Sequence, residues 1–237
     1  MPLLEVEKLT KNFGGLIALA GVDFYIKEGE IVGLIGPNGA GKTTTFNLIS
    51  GAMRPTSGII RFKGENTTDL KPHQICKRKM ARTFQNVQLF FHMTVLDNVL
   101  LGSLFGALER MSEAKREAMA LLEFVGLSVK KGIQAKDLAV PEQKRLEIAR
   151  ALATKPDLLL LDEVMAGLTP TEITSAVELI RKICSKGITV FMIEHIMHAI
   201  MDVSDRIIVL HYGKNIAEGT PEEIAANQKV IEIYLGK

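Results

Sequence analysis

The sequence predicts an α/β protein with a largely parallel sheet covered by helices, an antiparallel sheet beside it and an inserted helical segment. Three features of the sequence predict this fold class. Uninterrupted apolar runs at residues 31–35, 158–161 and 188–193 are short and are typical of parallel strands buried on both faces. Several short strand patterns lie close together near the N-terminus. Between residues 86 and 155, apolar residues recur at helical spacing.

Near the N-terminus, short strands are separated by turns. Residues 3–9 alternate apolar and charged side chains after the first pair, which indicates a half-exposed strand. Turns rich in glycine or proline are predicted at residues 11–15 and 55–58. The close spacing of these strands favours antiparallel pairing. Further strands are predicted at residues 22–26, 31–35 and 59–62.

The middle of the chain is predicted to be helical, and its last third alternates strands with helices. Helices are expected at residues 95–101 and 111–125. Pro141 can occupy the first turn of a further helix that runs to about Thr154, because proline is tolerated there. The later elements are strands at 158–161, 188–193, 206–210 and 214–218, helices at 171–184 and 195–201, and one or two short helices after Pro221.

We interpret residues 1–237 as a single domain, which this length allows. Residues 1–85 and 156–237 are assigned to an α/β core that includes the antiparallel β subdomain, and residues 86–155 to a helical subdomain. No internal repeat or long linker divides the sequence differently.

Charge and hydropathy exclude several classes of protein. The net charge is +2, from 29 basic and 27 acidic residues, which gives no support for a nucleic-acid partner. No apolar run approaches the ~18–20 residues that cross a membrane. Residues 1–8 lack the basic start and apolar stretch of a signal peptide. We therefore expect a cytoplasmic protein that reaches a membrane only through a partner.

A glycine-rich loop follows the apolar run at 31–35 and opens a helical segment. Its spacing, G-x-x-x-x-G-K-T, is that of a phosphate-binding (Walker A) loop, whose amides and helix N-terminus face anionic oxygens. The lysine would contact the β- and γ-phosphates, and Thr43 would offer its hydroxyl to Mg²⁺. An ordinary glycine-rich turn is the alternative, but the strand–loop–helix context favours a nucleoside triphosphate site. The loop consists of Gly36, Pro37, Asn38, Gly39, Ala40, Gly41, Lys42, Thr43 and Thr44.

Two carboxylates, Asp162 and Glu163, follow the predicted strand at 158–161. Ligands of open α/β sheets bind at the carboxyl ends of the strands. Asp162 can hold Mg²⁺ through water, and Glu163 is placed to polarise a water for attack on the γ-phosphate. The alternative is the start of a solvated loop. The phosphate-binding loop in the same chain favours the catalytic interpretation.

The order of these motifs resembles that of the ATP-binding cassette (ABC) ATPases over essentially the whole chain. The motifs are the Walker A loop, Gln85, a helical segment, residues 145–152, Asp162-Glu163 and Glu194-His195. Residues 81–94 and 213–223 more closely resemble the ATP-binding subunits of branched-chain amino acid importers. The resemblance implies a P-loop NTPase core, ATP hydrolysis coupled to transport, and ATP and Mg²⁺ as cofactors.

The same resemblance assigns roles to individual residues. Phe13 would stack on adenine, although packing in the core is an alternative. Gln85 would reach Mg²⁺ or the attacking water while its loop contacts a membrane subunit, whereas an ordinary surface glutamine would do neither. His195 would contact the γ-phosphate and Glu163, or else be structural. The expected catalytic residues are Lys42, Gln85, Glu163 and His195, and the expected metal-binding residues are Thr43, Gln85 and Asp162.

One motif departs from the family pattern. The family's signature loop reads roughly Leu-Ser-x-Gly-Gln, whereas residues 138–142, here called the signature loop, read Leu-Ala-Val-Pro-Glu. Ala139 lacks the serine hydroxyl, Pro141 has no amide N–H, and Glu142 adds a negative charge. Each change weakens phosphate binding. Two smaller departures, Val164 and Ile196, remove no catalytic group.

These features predict the ATP-hydrolysing subunit of an importer for branched-chain amino acids or a similar small solute. In the family, two cassettes face each other head to tail and each ATP lies between one Walker A loop and the partner's signature loop. The altered signature loop therefore predicts an asymmetric heterodimer with a second cassette subunit. Permease subunits would hold the pair at the inner face of the membrane, and a solute-binding protein would act indirectly.

Two other functions are considered. The altered signature loop favours a nucleotide-binding regulatory subunit with little ATP turnover, but the intact Glu163 and His195 argue against it. A cassette that acts on DNA or ribosomes is disfavoured, because such proteins usually have tandem cassettes, long insertions or a basic excess, and this sequence has none of these.

Overall fold

The computed structural model describes residues 2–107 and 110–235. Two sheets account for its strands. The strands are β1 (Pro2–Phe13), β2 (Leu16–Lys27), β3 (Ile31–Ile35), β4 (Ser57–Phe62), β5 (Glu65–Asn66), β6 (Met80–Arg82), β7 (Leu158–Asp162), β8 (Thr189–Ile193), β9 (Arg206–His211) and β10 (Lys214–Gly219).

The helices pack around and between these sheets. None of the helices in the described part of the chain is long and apolar enough to span a membrane. The helices are α1 (Lys42–Ile49), α2 (Pro72–Lys77), α3 (Val95–Ala107), α4 (Met111–Phe124), α5 (Val140–Leu152), α6 (Pro170–Ser185), α7 (Met197–Val203), α8 (Pro221–Ala225) and α9 (Gln228–Leu235), with 3₁₀ turns at Ser128–Lys130 and Ala135–Asp137.

The six-stranded sheet has the order β10-β9-β3-β8-β7-β6, and the four-stranded sheet has the order β2-β1-β4-β5. In the larger sheet, β10 runs antiparallel to β9, and every other neighbouring pair is parallel. The smaller sheet is antiparallel throughout. The fold class predicted from the sequence is therefore confirmed.

The core lies on both faces of the larger sheet. Side chains alternate along a strand, so Leu159 and Leu161 of β7 face the helices while Leu158 and Leu160 face the smaller sheet. All four are fully buried. This is why the central strands read as uninterrupted apolar runs, and it explains why their positions were predictable from the sequence.

Helices α3, α4 and α5 lie within residues 86–155. Helices α3 and α5 approach closely at Gly102, where a Cβ atom would lie 2.5 Å from the carbonyl oxygen of Arg150. Only glycine allows this approach. The helical content of this segment agrees with the sequence pattern. The division into subdomains at residues 85 and 156 stays a prediction.

Some local predictions were wrong. The predicted turn at residues 11–15 is shorter, because Phe13 pairs with Leu16 and only Gly14 and Gly15 lie between β1 and β2. Gly14 has a φ of 57°, which suits a two-residue hairpin turn. Strand β6 and helix α2 were not predicted, since they contain only three and six residues and show no clear periodicity.

Candidate nucleotide-binding and catalytic site

The glycine-rich loop joins β3 to α1 and folds around a lysine. A Cβ atom on Gly36 would lie 2.2 Å from the carbonyl oxygen of Leu210, so no larger residue fits. Helix α1 begins at Lys42 after Gly41, whose φ is 106°, and no side chain caps it. The Lys42 ammonium donates to the carbonyl oxygens of Gly36 at 2.7 Å and Pro37 at 3.0 Å. The uncapped helix start and the ammonium together suit an anionic phosphate group.

Glu163 lies where three segments of the chain meet. Its backbone has a φ of 51°, a left-handed conformation that costs energy in a residue other than glycine. Its amide donates to the carbonyl oxygen of Ile193 at 2.9 Å. Its carboxylate Oε2 accepts a hydrogen bond from Gln85 Nε2 at 2.7 Å, and Oε1 lies 2.6 Å from His195 Nε2. The structure thus brings three of the predicted catalytic residues together at one carboxylate.

Asp162 is the last residue of β7 and immediately precedes Glu163. Its Oδ2 accepts a hydrogen bond from Arg82 Nη2 at 2.8 Å, and its buried Oδ1 has no hydrogen-bond partner among the described residues. Burial raises the pKa of Asp162, against the lowering effect of the Arg82 hydrogen bond. A buried carboxylate oxygen without a partner fits a hard cation such as Mg²⁺. The oxygen atoms of Thr43 and Gln85 are of the same ligand type.

Lys42, Asp162 and Glu163 are the charged groups that set the electrostatics of the glycine-rich loop. Lys42 is 6% exposed. Burial lowers the pKa of Lys42, while the negative charges of Glu163 and Asp162 raise it. An incoming polyphosphate would add negative charge beside two buried carboxylates, and the ammonium would offset part of it.

A cleft of about 410 Å³ brings most of the predicted residues together. Phe13 is 45% exposed and lies at the cleft with Leu16 and Ile17, so it is not a core residue. Gly36, Pro37 and Asp162 do not line the cleft, although the first two hold Lys42. The predicted residues that line it are Phe13, Asn38, Gly39, Ala40, Gly41, Lys42, Thr43, Thr44, Gln85, Glu163 and His195.

Four largely buried charged side chains near the site were assigned no role from the sequence. Arg82 also donates to the side chains of Asn47 in α1 and of Ser50 directly after it. Glu194 accepts the amide N–H of Met165 at 2.8 Å. Arg82, Glu147 and Glu194 lie in stretches that carried the family resemblance, which was the only signal for them. Lys144 and Glu147 lie on α5, where charged residues are indistinguishable in sequence from a solvated helix face.

The signature loop does not line the cleft, and it forms the start of α5. The amide of Ala139 donates to Glu142 Oε2 at 3.2 Å, and the amides of Glu142 and Gln143 donate to the carbonyl oxygen of Ala139. Pro141 has no N–H to offer. The Glu142 carboxylate lies 2.6 Å from Lys130 Nζ, and this hydrogen bond lowers the pKa of Glu142. The helix start is therefore poorly provided with free donors for an anion.

The site is that of a P-loop ATPase. It combines a phosphate-binding loop with a buried carboxylate suited to Mg²⁺ and a glutamate suited to general-base catalysis, both at the edge of a parallel sheet. Two family descriptions match the chain: "ABC transporter" over residues 19–166, and "Branched-chain amino acid ATP-binding cassette transporter" over residues 214–237.

Individual proteins agree with these family matches. The chain is 44% identical over 252 residues to the high-affinity branched-chain amino acid transport ATP-binding protein BraF of Pseudomonas aeruginosa, covering 100% of this chain and 98% of that protein. A nucleotide-free ATP-binding cassette from an ABC transporter superposes with a TM-score of 0.91 at 31% identity, with 100% of both chains covered. A dimeric, post-hydrolysis cassette bound to ADP and Pi gives a TM-score of 0.84 at 29% identity, covering 92% of this chain and 98% of that one.

The chain therefore belongs to the ABC transporter family, and within it to the branched-chain amino acid ATP-binding cassettes. The resemblance stated from the sequence is confirmed.

Proposed function

We propose that this chain is the ATP-hydrolysing subunit of a transporter that imports branched-chain amino acids, with Glu163 as general base. The observation that carries the proposal is the double contact of the Glu163 carboxylate, 2.7 Å from Gln85 and 2.6 Å from His195, beside the phosphate-binding loop. A carboxylate held in this way can accept the proton of a water that attacks the γ-phosphate. His195 would orient the carboxylate and donate to the γ-phosphate.

The other residues of the cleft bind the nucleotide and its metal ion. The Lys42 ammonium, which donates to two loop carbonyls, would donate to the β- and γ-phosphates instead. Phe13 would stack on the adenine ring. Thr43, Gln85 and Asp162 would hold Mg²⁺, whose chemistry is to offset the negative charge that develops on the phosphate oxygens.

The test is the variant Glu163→Gln in the purified transporter. We expect ATP hydrolysis, measured as phosphate release, to fall by ~10²-fold or more, because a general base contributes that much. ATP binding should stay within about threefold, since the phosphate-binding loop is untouched. The matched control is Glu178→Gln on α6, whose side chain is 60% exposed. Hydrolysis that persists in Glu163→Gln would refute the assignment.

The transported solute is inferred from the relatives, one of which is named as a high-affinity branched-chain amino acid transport protein. Permease subunits would hold the chain at the cytoplasmic face of the membrane, and a solute-binding protein would deliver the amino acid. We expect cells that depend on this chain to lose uptake of labelled leucine, isoleucine and valine when Glu163→Gln replaces it. Uptake of lysine serves as the control. Undiminished leucine uptake would overturn the choice of solute.

A groove of about 320 Å³ supports docking of a permease helix. It is lined mainly by apolar side chains, among them Phe84, Phe90 and Leu101, and it adjoins the loop that carries Gln85. Phe90 is 50% exposed and Phe91 is 39% exposed, so these side chains are free to contact a partner. Apolar patches of this kind mark interaction sites.

We further propose that the chain works in an asymmetric heterodimer with a second cassette subunit. Dimeric cassettes occur among the structural relatives. The start of α5 offers few donors for phosphate, because Ala139 and Pro141 lack the family's donors and the Ala139 amide N–H is already donated to Glu142. The site formed by this chain's Walker A loop and a partner's intact signature loop would hydrolyse ATP. The opposite site would be impaired. The contacts of Glu163 disfavour a purely regulatory subunit, since that role does not require them.

A further inference from the structure

Helix α5 carries two buried charged side chains one turn apart. Glu147 is 2% exposed and Lys144 is 8% exposed. Charged residues are seldom this buried unless their charge is matched. Each of the two reaches the backbone of a different catalytic loop.

Glu147 holds the loop that carries Gln85. Its Oε1 accepts the amide N–H of Gln88 at 2.9 Å, and its Oε2 accepts the amide N–H of Phe84 at 3.3 Å. The two accepted amides lie on either side of Gln85. Because both carboxylate oxygens are used, a shift of α5 moves this loop with it.

Lys144 holds the segment that begins with Glu163. Its ammonium donates to the carbonyl oxygen of Ala166 at 2.6 Å and to that of Glu163 at 3.3 Å. Glu163 is in a left-handed conformation, which persists only where the surroundings hold it. A cation on its carbonyl oxygen is one such restraint.

The charge of each side chain matches the backbone groups that it contacts. The Glu147 carboxylate accepts from amide N–H groups, and the Lys144 ammonium donates to carbonyl oxygens. Glu194, then Glu147 and Glu163, attract Lys144 electrostatically. The ion-pair partner within 4.0 Å of Glu147 in the described chain is Arg150, at 3.8 Å. The hydrogen bonds to the two loops are therefore the closest polar contacts of both side chains.

We propose that Lys144 and Glu147 are positioning residues that make ATP hydrolysis depend on the position of α5. The inference rests on the proposed roles of Glu163 and Gln85. Helix α5 begins at the signature loop, and Glu147 also lines the apolar groove beside Phe84. A partner that shifts α5 from either place thereby moves the catalytic glutamate and glutamine together.

The test uses the variants Glu147→Gln and Lys144→Met, with two readouts. Backbone hydrogen exchange of residues 84–88 and 163–168 is measured on the nucleotide-free full chain, and kcat and KM for ATP on the assembled transporter. We expect Glu147→Gln to speed exchange in 84–88 by ~10-fold, since a carboxylate oxygen becomes an amide NH₂ that cannot accept. Lys144→Met should speed exchange in 163–168 instead. In both variants kcat should fall by ~10-fold or more with KM within about threefold, because the nucleotide contacts remain.

Two further variants separate positioning from helix stabilisation. The charge swap Lys144→Glu with Glu147→Lys restores an attraction along α5 but places each charge against the wrong backbone groups. In this double variant we expect the backbone amides of both loops to exchange at least as fast as in the single variants. The matched control is Glu178→Gln with Lys182→Met, an exposed pair one turn apart on α6, which should change neither loop.

The inference would be overturned if Glu147→Gln left hydrogen exchange in residues 84–88 unchanged. It would also be overturned if the charge swap returned the exchange rates of both loops to wild-type values. Thermal unfolding and ATP binding of each variant show that it is folded, and the single variants keep the test valid if the swap does not fold. Exchange requires no turnover, so this result is independent of the proposed function. Persistent hydrolysis in Glu163→Gln would instead refute the role of the glutamate and leave the exchange result intact.

Discussion

Rebuilding the signature loop should convert the isolated chain into an active ATPase. The variant carries Ala139→Ser, Pro141→Gly and Glu142→Gln, which supply a hydroxyl and an amide N–H and remove a negative charge. In a head-to-tail homodimer, both composite sites would then contain a complete signature loop. Under the proposed function, a wild-type homodimer would have both sites impaired by the same three residues.

The magnitude follows from the hydrogen bonds gained. Each donor to a charged phosphate oxygen contributes about 1.5–3 kcal/mol, so two contribute about 3–6 kcal/mol. Loss of the Glu142–Lys130 pair, whose side chains are 24% and 38% exposed, costs about 0–1 kcal/mol because solvent screens it. Glycine in place of proline costs a further 0.4–1 kcal/mol or so. These two costs lower the stability of the fold and leave the rate of the folded enzyme unchanged, so the donors alone set the gain, and their lower limit of about 3 kcal/mol corresponds to a rate increase of ~100-fold or more.

The assay is phosphate release from saturating ATP and Mg²⁺ by the purified chain, at several protein concentrations. We expect the rebuilt variant to exceed the wild type by ~100-fold or more and to depend on concentration more steeply than linearly, since the active species is a dimer. Adding Glu163→Gln to the rebuilt variant should abolish the gain. Robust cooperative hydrolysis by the wild-type chain alone, abolished by Glu163→Gln, would refute the reasoning.

Three further predictions concern binding and stability. Phe13→Ala should raise the dissociation constant for ATP by ~3–10-fold, through loss of about 0.5–1.5 kcal/mol of stacking, whereas Phe13→Tyr should not; equilibrium binding of a fluorescent ATP analogue measures both. Leu160→Ala, at a fully buried position of β7, should lower the free energy of unfolding by about 2–5 kcal/mol in urea titrations, whereas Leu16→Ala, at a 68% exposed position, should change it by less than about 1 kcal/mol. Burial raises the pKa of Glu194 from its usual 4.5 to about 7. Between these two pH values the folded protein keeps the carboxyl proton of Glu194 while the unfolded chain loses it, so the free energy of unfolding falls as pH rises. Relative to wild type, Glu194→Gln should therefore gain about 2–3 kcal/mol between pH 4.5 and pH 8, measured by urea unfolding at each pH, and a constant difference would contradict this.

Much of the fold was predictable because local sequence carries its signals. The central strands are buried on both faces and read as apolar runs, and the glycine-rich loop has a spacing that few other structures require. Strand β6, by contrast, consists of three residues that pair with β7. Pairing with a distant strand, and not a local pattern, makes it a strand, so no periodicity revealed it.

Some residues of the candidate site were predictable from the sequence, and others were not. Gln85, Glu163 and His195 were identified because each falls in a recognisable stretch, although nothing local places the side chains of Gln85 and His195 within 2.7 Å of the Glu163 carboxylate. Lys144 lies outside those stretches, and Glu147 lies within one of them, residues 145–152, that assigned it no role. Their type and spacing suit a solvated helix face, and only the packing of α5 against two loops buries them.

By itself, the sequence determined the family, the phosphate-binding loop and the chemical groups available for hydrolysis, because these depend on residue type and on spacing along the chain. It also determined that the signature loop lacks two donors. Only the tertiary structure decided that Glu142 pairs with Lys130, that Asp162 pairs with Arg82 and that α5 holds both catalytic loops. The last two depend on contacts between segments far apart in sequence, which exist only once the sheet has brought the strand ends and the helix together.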